Sequence, residues 1–78
     1  MEIEQFIQLF ADQFDETEPE LFKPSTEFRQ LEEWSSLVAM AVLNMLEKKC
    51  NARIKSEEMR ETQTIQALYD LMISKQTA

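Results

Sequence analysis

Ile3, Phe6, Ile7, Phe10 and Phe14 recur at the i, i+3, i+4, i+7, i+11 spacing of one helical face, which predicts a first helix over 2–14. Glu2 and Glu4 fall in its first turn, where the helix dipole favours carboxylates. Between Asp15 and Lys23 the period disappears and Pro19 interrupts, and Pro24, Ser25 and Thr26 follow. Residues 15–34 therefore read as one long connection, with a short helical turn around Phe28 to Leu31. A loop of that length in a small domain is functional or is pinned by packing. Phe22, Phe28, Leu31 and Trp34 are the side chains available to pin it.

The Ser35-Ser36 pair opens a second helix, predicted over 36–50, because serine is a favoured N-cap. Asn51 suits a left-handed residue just past its end, and Lys48 and Lys49 in the last turn complement the dipole. Ser56, followed by Glu57 and Glu58, is a capping residue for a short third helix over 57–61. Thr62 or Thr64 then caps a fourth helix over 64–74, in which Ile65, Leu68, Tyr69 and Met72 repeat the helical stripe. On a wheel, Ala39, Met40, Leu43, Leu46 and Cys50 of the second helix cluster on one side and are expected to face the core. Leu37, Val38, Ala41 and Met45 fall on the opposite side, so the start of this helix is apolar nearly all round. That outer stripe is either covered by the long loop or docks a partner.

Length and composition narrow the class. With 78 residues there is room for one domain, read as 1–78, and a modest core. Glycine is absent and proline occurs twice, which favours helices over tight hairpins and makes the fold class all-α. The net charge of −7 argues against nucleic acid and anionic membrane surfaces as partners. It is unevenly placed: residues 1–33 hold 10 acids and 2 bases, whereas residues 34–78 hold 5 acids and 6 bases. The single cysteine, Cys50, excludes an internal disulfide, fits a reducing compartment and is expected in the core. No basic n-region and no apolar run near the roughly 20 residues of a membrane span are present, so a cytoplasmic monomer without membrane insertion is expected.

Candidate chemistry is sparse. Histidine, the commonest general base and metal ligand, is missing. A serine hydroxyl without an adjacent base is a weak nucleophile, and no base accompanies the serines here. Asp12, Asp15, Glu16, Glu18 and Glu20 lack the spacing and glycine of an EF-hand loop and read as a solvated acidic face, so no metal site is expected. The chain is not expected to be an enzyme.

One segment carries more specific information. Phe28-Arg29-Gln30-Leu31-Glu32-Glu33-Trp34-Ser35-Ser36-Leu37, placed between the first two helices, resembles the modification site of acyl and peptidyl carrier proteins. The order of helices, the long first loop and the closing Thr62-Gln63-Thr64-Ile65-Gln66-Ala67-Leu68 segment are also similar to that family's, so the resemblance covers essentially the whole chain. It implies a four-helix bundle of acyl-carrier type, with three longer helices, one short helix and a long first loop. It also implies that Ser36 carries a covalent 4'-phosphopantetheine, attached by a phosphopantetheinyl transferase, whose terminal thiol holds acyl groups as thioesters. A helix N-terminus suits the phosphodiester of such an arm.

By the same resemblance, acyl-transfer and synthase enzymes of fatty acid, polyketide or related biosynthesis are the partners, met by Leu37, Val38, Ala41 and Met45. Met40, Met45 and Met72 are soft enough to line a cleft for a short acyl chain. Two positions depart from the family's usual pattern. Ser35 stands where Asp is usual, and apolar residues followed by Lys48 and Lys49 replace the acids that usually line the second helix. Docking by apolar contact is therefore expected. A peptidyl or aminoacyl carrier shares the scaffold, and an unmodified helical adaptor using the apolar face of the second helix is the rival of a different class.

Overall fold

The computed structural model describes residues 1–76, and residues 77–78, the end of the expected 1–78 domain, lie outside the described residues. Among the described residues four α-helices occur in chain order: α1 (Ile3–Ala11), α2 (Ser36–Lys49), α3 (Ser56–Arg60) and α4 (Ile65–Lys75). Two 3₁₀ turns, Pro19–Leu21 and Phe28–Gln30, lie in the long connection between α1 and α2. The second is the turn expected around Phe28, whereas the first differs from the expected break at Pro19, because proline's fixed φ also suits the first position of a helical turn. Among the described residues there is no strand, only an isolated bridge between Ala52 and Gln76.

α1 starts with the Glu2 amide donating to Gln5 Oε1 at 3.1 Å. It ends at Ala11 rather than at 14, but the Gln13 and Phe14 amides close tight turns onto the Phe10 and Ala11 carbonyls. Those turns keep Phe14 with Phe6 and Phe10 in the core. α1 packs against α2 and α4. Phe10 of α1 and Phe14 just beyond it meet Phe22 and Phe28 from the connection, with Phe10 and Phe28 rings 5.4 Å apart and Phe14 and Phe22 rings 5.0 Å apart. Edge-on aromatic pairs of this kind each contribute about 0.5–1.5 kcal/mol beyond burial. A stretch without helical period is thus fixed by tertiary contact.

Backbone bonds tie the same connection to α4. The Ile65 and Gln66 amides, which a helix start leaves without intrahelical partners, donate to the carbonyls of Thr26 (3.1 Å) and Pro24 (2.9 Å). Of the two threonines expected to offer a cap, Thr62 and Thr64, it is Thr64 that accepts the third amide, Ala67, at 3.1 Å. Asn51 adopts the positive φ of 52° that ends α2, also as expected. Ser56 does not cap α3: it is the first helical residue, Lys55 is the N-cap, and Glu58 accepts the Lys55 amide at 3.0 Å.

The orientation of α2 differs from the wheel expectation at two methionines. Val42, Met45, Leu46 and Cys50 are buried, while Met40 is 67% exposed. Met45 therefore belongs to the core and Met40 to the surface, the reverse of their expected placement. Ala39 and Leu43 are half-buried and pack against the core, as do Val38 on the other flank. A helix that is apolar nearly all round gives a wheel little contrast to fix which side faces inward.

Candidate functional site

Ser35 and Ser36 do different work at the start of α2. Ser35 is the N-cap, with extended backbone (φ −155°, ψ 173°), and its Oγ accepts the Val38 amide at 3.3 Å. Its carbonyl accepts the Ala39 amide at 2.9 Å, beginning the helical ladder. Ser36 is the first helical residue and is exposed. Both serines are exposed, and the Ser35 hydroxyl is the one spent on the cap.

The chain leading into this pair is held from two sides. Trp34 stacks on Phe14 with ring centres 6.3 Å apart and meets Phe28 edge-on at 5.1 Å. One residue earlier, the Glu33 carboxylate accepts the amides of Asp15 (2.6 Å), Glu16 (3.0 Å) and Thr17 (2.9 Å) and the Thr17 hydroxyl (2.7 Å). The Thr17 hydroxyl first, and then the backbone donors, hold the Glu33 carboxyl below the usual carboxylate range. Glu33 thereby joins the beginning of the long connection to its end, next to the serine pair.

Beside Ser36 lies a groove of about 490 Å³ between α2 and α3. Ala39, Met40 and Leu43 form its α2 wall, with Met59 on the α3 side. Arg29 and Arg60 also line it. Arg29 is positioned by donating from Nη2 to the Thr62 carbonyl at 2.9 Å, with its guanidinium 6.0 Å from the centre of the Phe28 ring.

Of the residues expected to meet partners, Leu37 is 78% exposed, Val38 and Ala41 are half-buried, and Met45 is only 5% exposed. Met45 is withdrawn from the surface, and Met40 joins Leu37 as exposed apolar area near Ser36. Their i, i+3 spacing is the signal that pairs them on one face. Glu33, Arg29 and Arg60 were not singled out from the sequence. Their roles depend on partners 16–33 residues away or on another helix, which no local pattern records. Cys50 is buried as expected, and burial pushes its thiol above the ordinary value. Among the described residues, no three His, Cys, Asp or Glu side chains converge as a metal site, and no helix is long and apolar enough to cross a membrane.

A sequence model of the family described as the phosphopantetheine attachment site matches residues 4–72, from the first turn of α1 into α4. The chain belongs to that family. Carrier domains of this kind bear a covalently attached 4'-phosphopantetheine, interact with transferases and synthase enzymes, and do not themselves catalyse. No curated protein and no solved structure gives a significant match. The surroundings of Ser36 fit the family's prosthetic group. An exposed hydroxyl at a helix start adjoins an apolar groove bordered by two guanidinium groups, which suits a phosphate-linked arm with an aliphatic body.

Proposed function

We propose that this carrier domain bears its arm on Ser36 and shuttles acyl intermediates among enzymes of fatty acid, polyketide or related biosynthesis. The observation that supports this most is the exposure of Ser36 as the first residue of α2, directly after the Leu31-x-x-Trp34-x-Ser36-Leu37 pattern. When bound, the arm supplies a terminal thiol that holds acyl groups as thioesters. The chain's own part is to present and orient. Ser35 caps the helix, Trp34 and Glu33 fix the approach to it, and Leu37 and Met40, flanked by Val38 and Ala41, offer apolar contact to visiting enzymes. The buried free thiol of Cys50 fits a reducing location such as the cytoplasm.

The test is intact mass after incubation with coenzyme A and a broad-specificity phosphopantetheinyl transferase, beside a Ser36→Ala control. One added phosphopantetheine on the wild type alone is the expected result. Addition that persists in Ser36→Ala would move the site elsewhere. Loading with acyl- and aminoacyl-activating enzymes then separates an acyl from an aminoacyl carrier. The exposed Leu37 and Met40 also suit an unmodified adaptor, which predicts that Ser36→Ala leaves partner binding and cellular function intact.

A further inference from the structure

We infer that the groove between α2 and α3 is an oxyanion seat, in which Arg29 and Arg60 hold an anionic group borne by the arm on Ser36. The anion is either the phosphodiester of the arm or a carboxylate on its cargo, since guanidinium groups recognise both by the same paired N–H geometry. The inference rests on Ser36 being the attachment serine.

Charge distribution leads to this conclusion. The chain has 15 acids and only three arginines. Among the described residues, the groove that Ser36 lines contains no carboxylate, yet it holds two of those arginines. They enter from different elements, Arg29 from the Phe28–Gln30 turn and Arg60 from the end of α3. Arg29 spends one donor on the Thr62 carbonyl, which fixes its place and leaves the remaining N–H groups of its five. Arg60 pairs with no carboxylate among the described residues, whereas the third arginine, Arg53, is paired with Glu47 at 3.6 Å and lies outside the groove. In the same groove, Met40, Leu43 and Met59 provide apolar contact for methyl and methylene groups. At about 490 Å³ the space is within the usual range for ligand pockets.

The test compares four forms of the protein: unmodified, bearing the arm alone, bearing a butanoyl arm and bearing a succinyl arm. The last three are made with the transferase from coenzyme A, butanoyl-coenzyme A and succinyl-coenzyme A. Each is prepared in the wild type, Arg60→Gln, Arg29→Gln and the control Arg53→Gln, with loading verified by mass. The readouts are the thermal midpoint and the backbone amide shifts of Met59, Arg60 and Glu61.

A rise on the order of 4 °C on adding the arm, lost in Arg60→Gln and kept in Arg53→Gln, assigns the seat to the phosphodiester. A rise that appears only when succinyl replaces butanoyl, with the same dependence on Arg60, assigns it to the cargo carboxylate. Equal midpoints and unchanged α3 amides across the four forms overturn the inference, as does a rise that survives both groove substitutions. Arg60 is exposed, so its variant stays folded even if Arg29→Gln, which loses the bond to Thr62, does not. Failure of the arm to load on Ser36 defeats the attachment reading itself. Loading without a change in midpoint or shifts defeats the oxyanion seat alone.

Discussion

The aromatic wedge of residues 1–33 and the outer face of α2 use their apolar residues in opposite ways. Residues 1–33 contain all five phenylalanines, every one buried, and carry their 10 acids against 2 bases on the outside. The α2–α3 face leaves Leu37 and Met40 exposed, in a half that carries a slight excess of bases. The wedge stands as scaffold beneath the serine pair and the α2–α3 face presents what another molecule can touch, while the buried residues of α2, α3 and α4 complete the core. Rigidity and accessibility are thus assigned to different residues, which permits a surface to change without endangering the scaffold beneath it.

Substitutions on the two sides should separate cleanly. The largest loss is expected for Phe10→Ala, about 3–5 kcal/mol in urea unfolding, because the ring is fully buried among four aromatic neighbours. The rate at which the remaining folded molecules are modified by the transferase should not change. A slower rate would mean that the wedge shapes the docking face as well as supporting it. Ser35→Ala removes the cap and should cost about 0.5–2 kcal/mol. Ser35→Asp keeps the cap, restores the residue usual in the family, and should hold stability while speeding modification, as measured by intact mass against time.

A smaller, pH-dependent effect is expected at Glu33. Its carboxyl is held down in the folded state, first by the Thr17 hydroxyl and then by backbone amides. Its contribution is therefore fully present above the unfolded carboxylate value of about 4.3 and is lost as pH falls through the lower folded value. Glu58, held down chiefly by Lys75, acts in the same direction. Urea midpoints measured from neutral pH to pH 3 should fall more steeply for the wild type than for Glu33→Gln, the two curves converging at the acid end. Faster amide exchange at Asp15, Glu16 and Thr17 in the variant would place the effect in the connection. The smallest change in stability, within about 0.5 kcal/mol, is expected for Leu37→Ala and Met40→Ala. Both should still lower the kcat/KM of enzymes acting on the carrier, by roughly tenfold if they are interface anchors. Variants that lost stability and kept full kcat/KM would break the comparison.

Much of this arrangement was legible where the signal was local. The spacing of Phe6, Phe10 and Phe14, the capping threonine at 64 and the left-handed Asn51 all depend on neighbours within one or two turns. So did the opening of α2 at the serine pair, although sequence did not say which hydroxyl would be spent on the cap. The side of α2 that faces inward was misassigned at Met40 and Met45 because apolar residues surround the start of the helix. Whether such a side chain is covered depends on what α1 and α4 bring against it. Glu33 escaped notice for a related reason: its donors are 16–18 residues earlier, and an isolated glutamate in an acidic stretch looks like any solvated charge. Arg29 and Arg60 become neighbours of Ser36 only once α3 is folded against α2.

The burial of Cys50 matters for the fidelity of a protein whose cargo is bound through sulfur. Thioesters exchange readily with free thiolates, so a second accessible thiol on the same molecule would be a route for cargo to leak from the arm onto the scaffold. Cys50 is 2% exposed, its thiol is raised by burial, and its nearest sulfur neighbours are the inert thioethers of Met1 and Met45 at 3.9 and 4.0 Å. Self-acylation is thereby suppressed while the fold is intact. A maleimide added to the native carrier should label the arm's thiol alone and reach Cys50 only after unfolding, which makes labelling stoichiometry a direct gauge of scaffold opening.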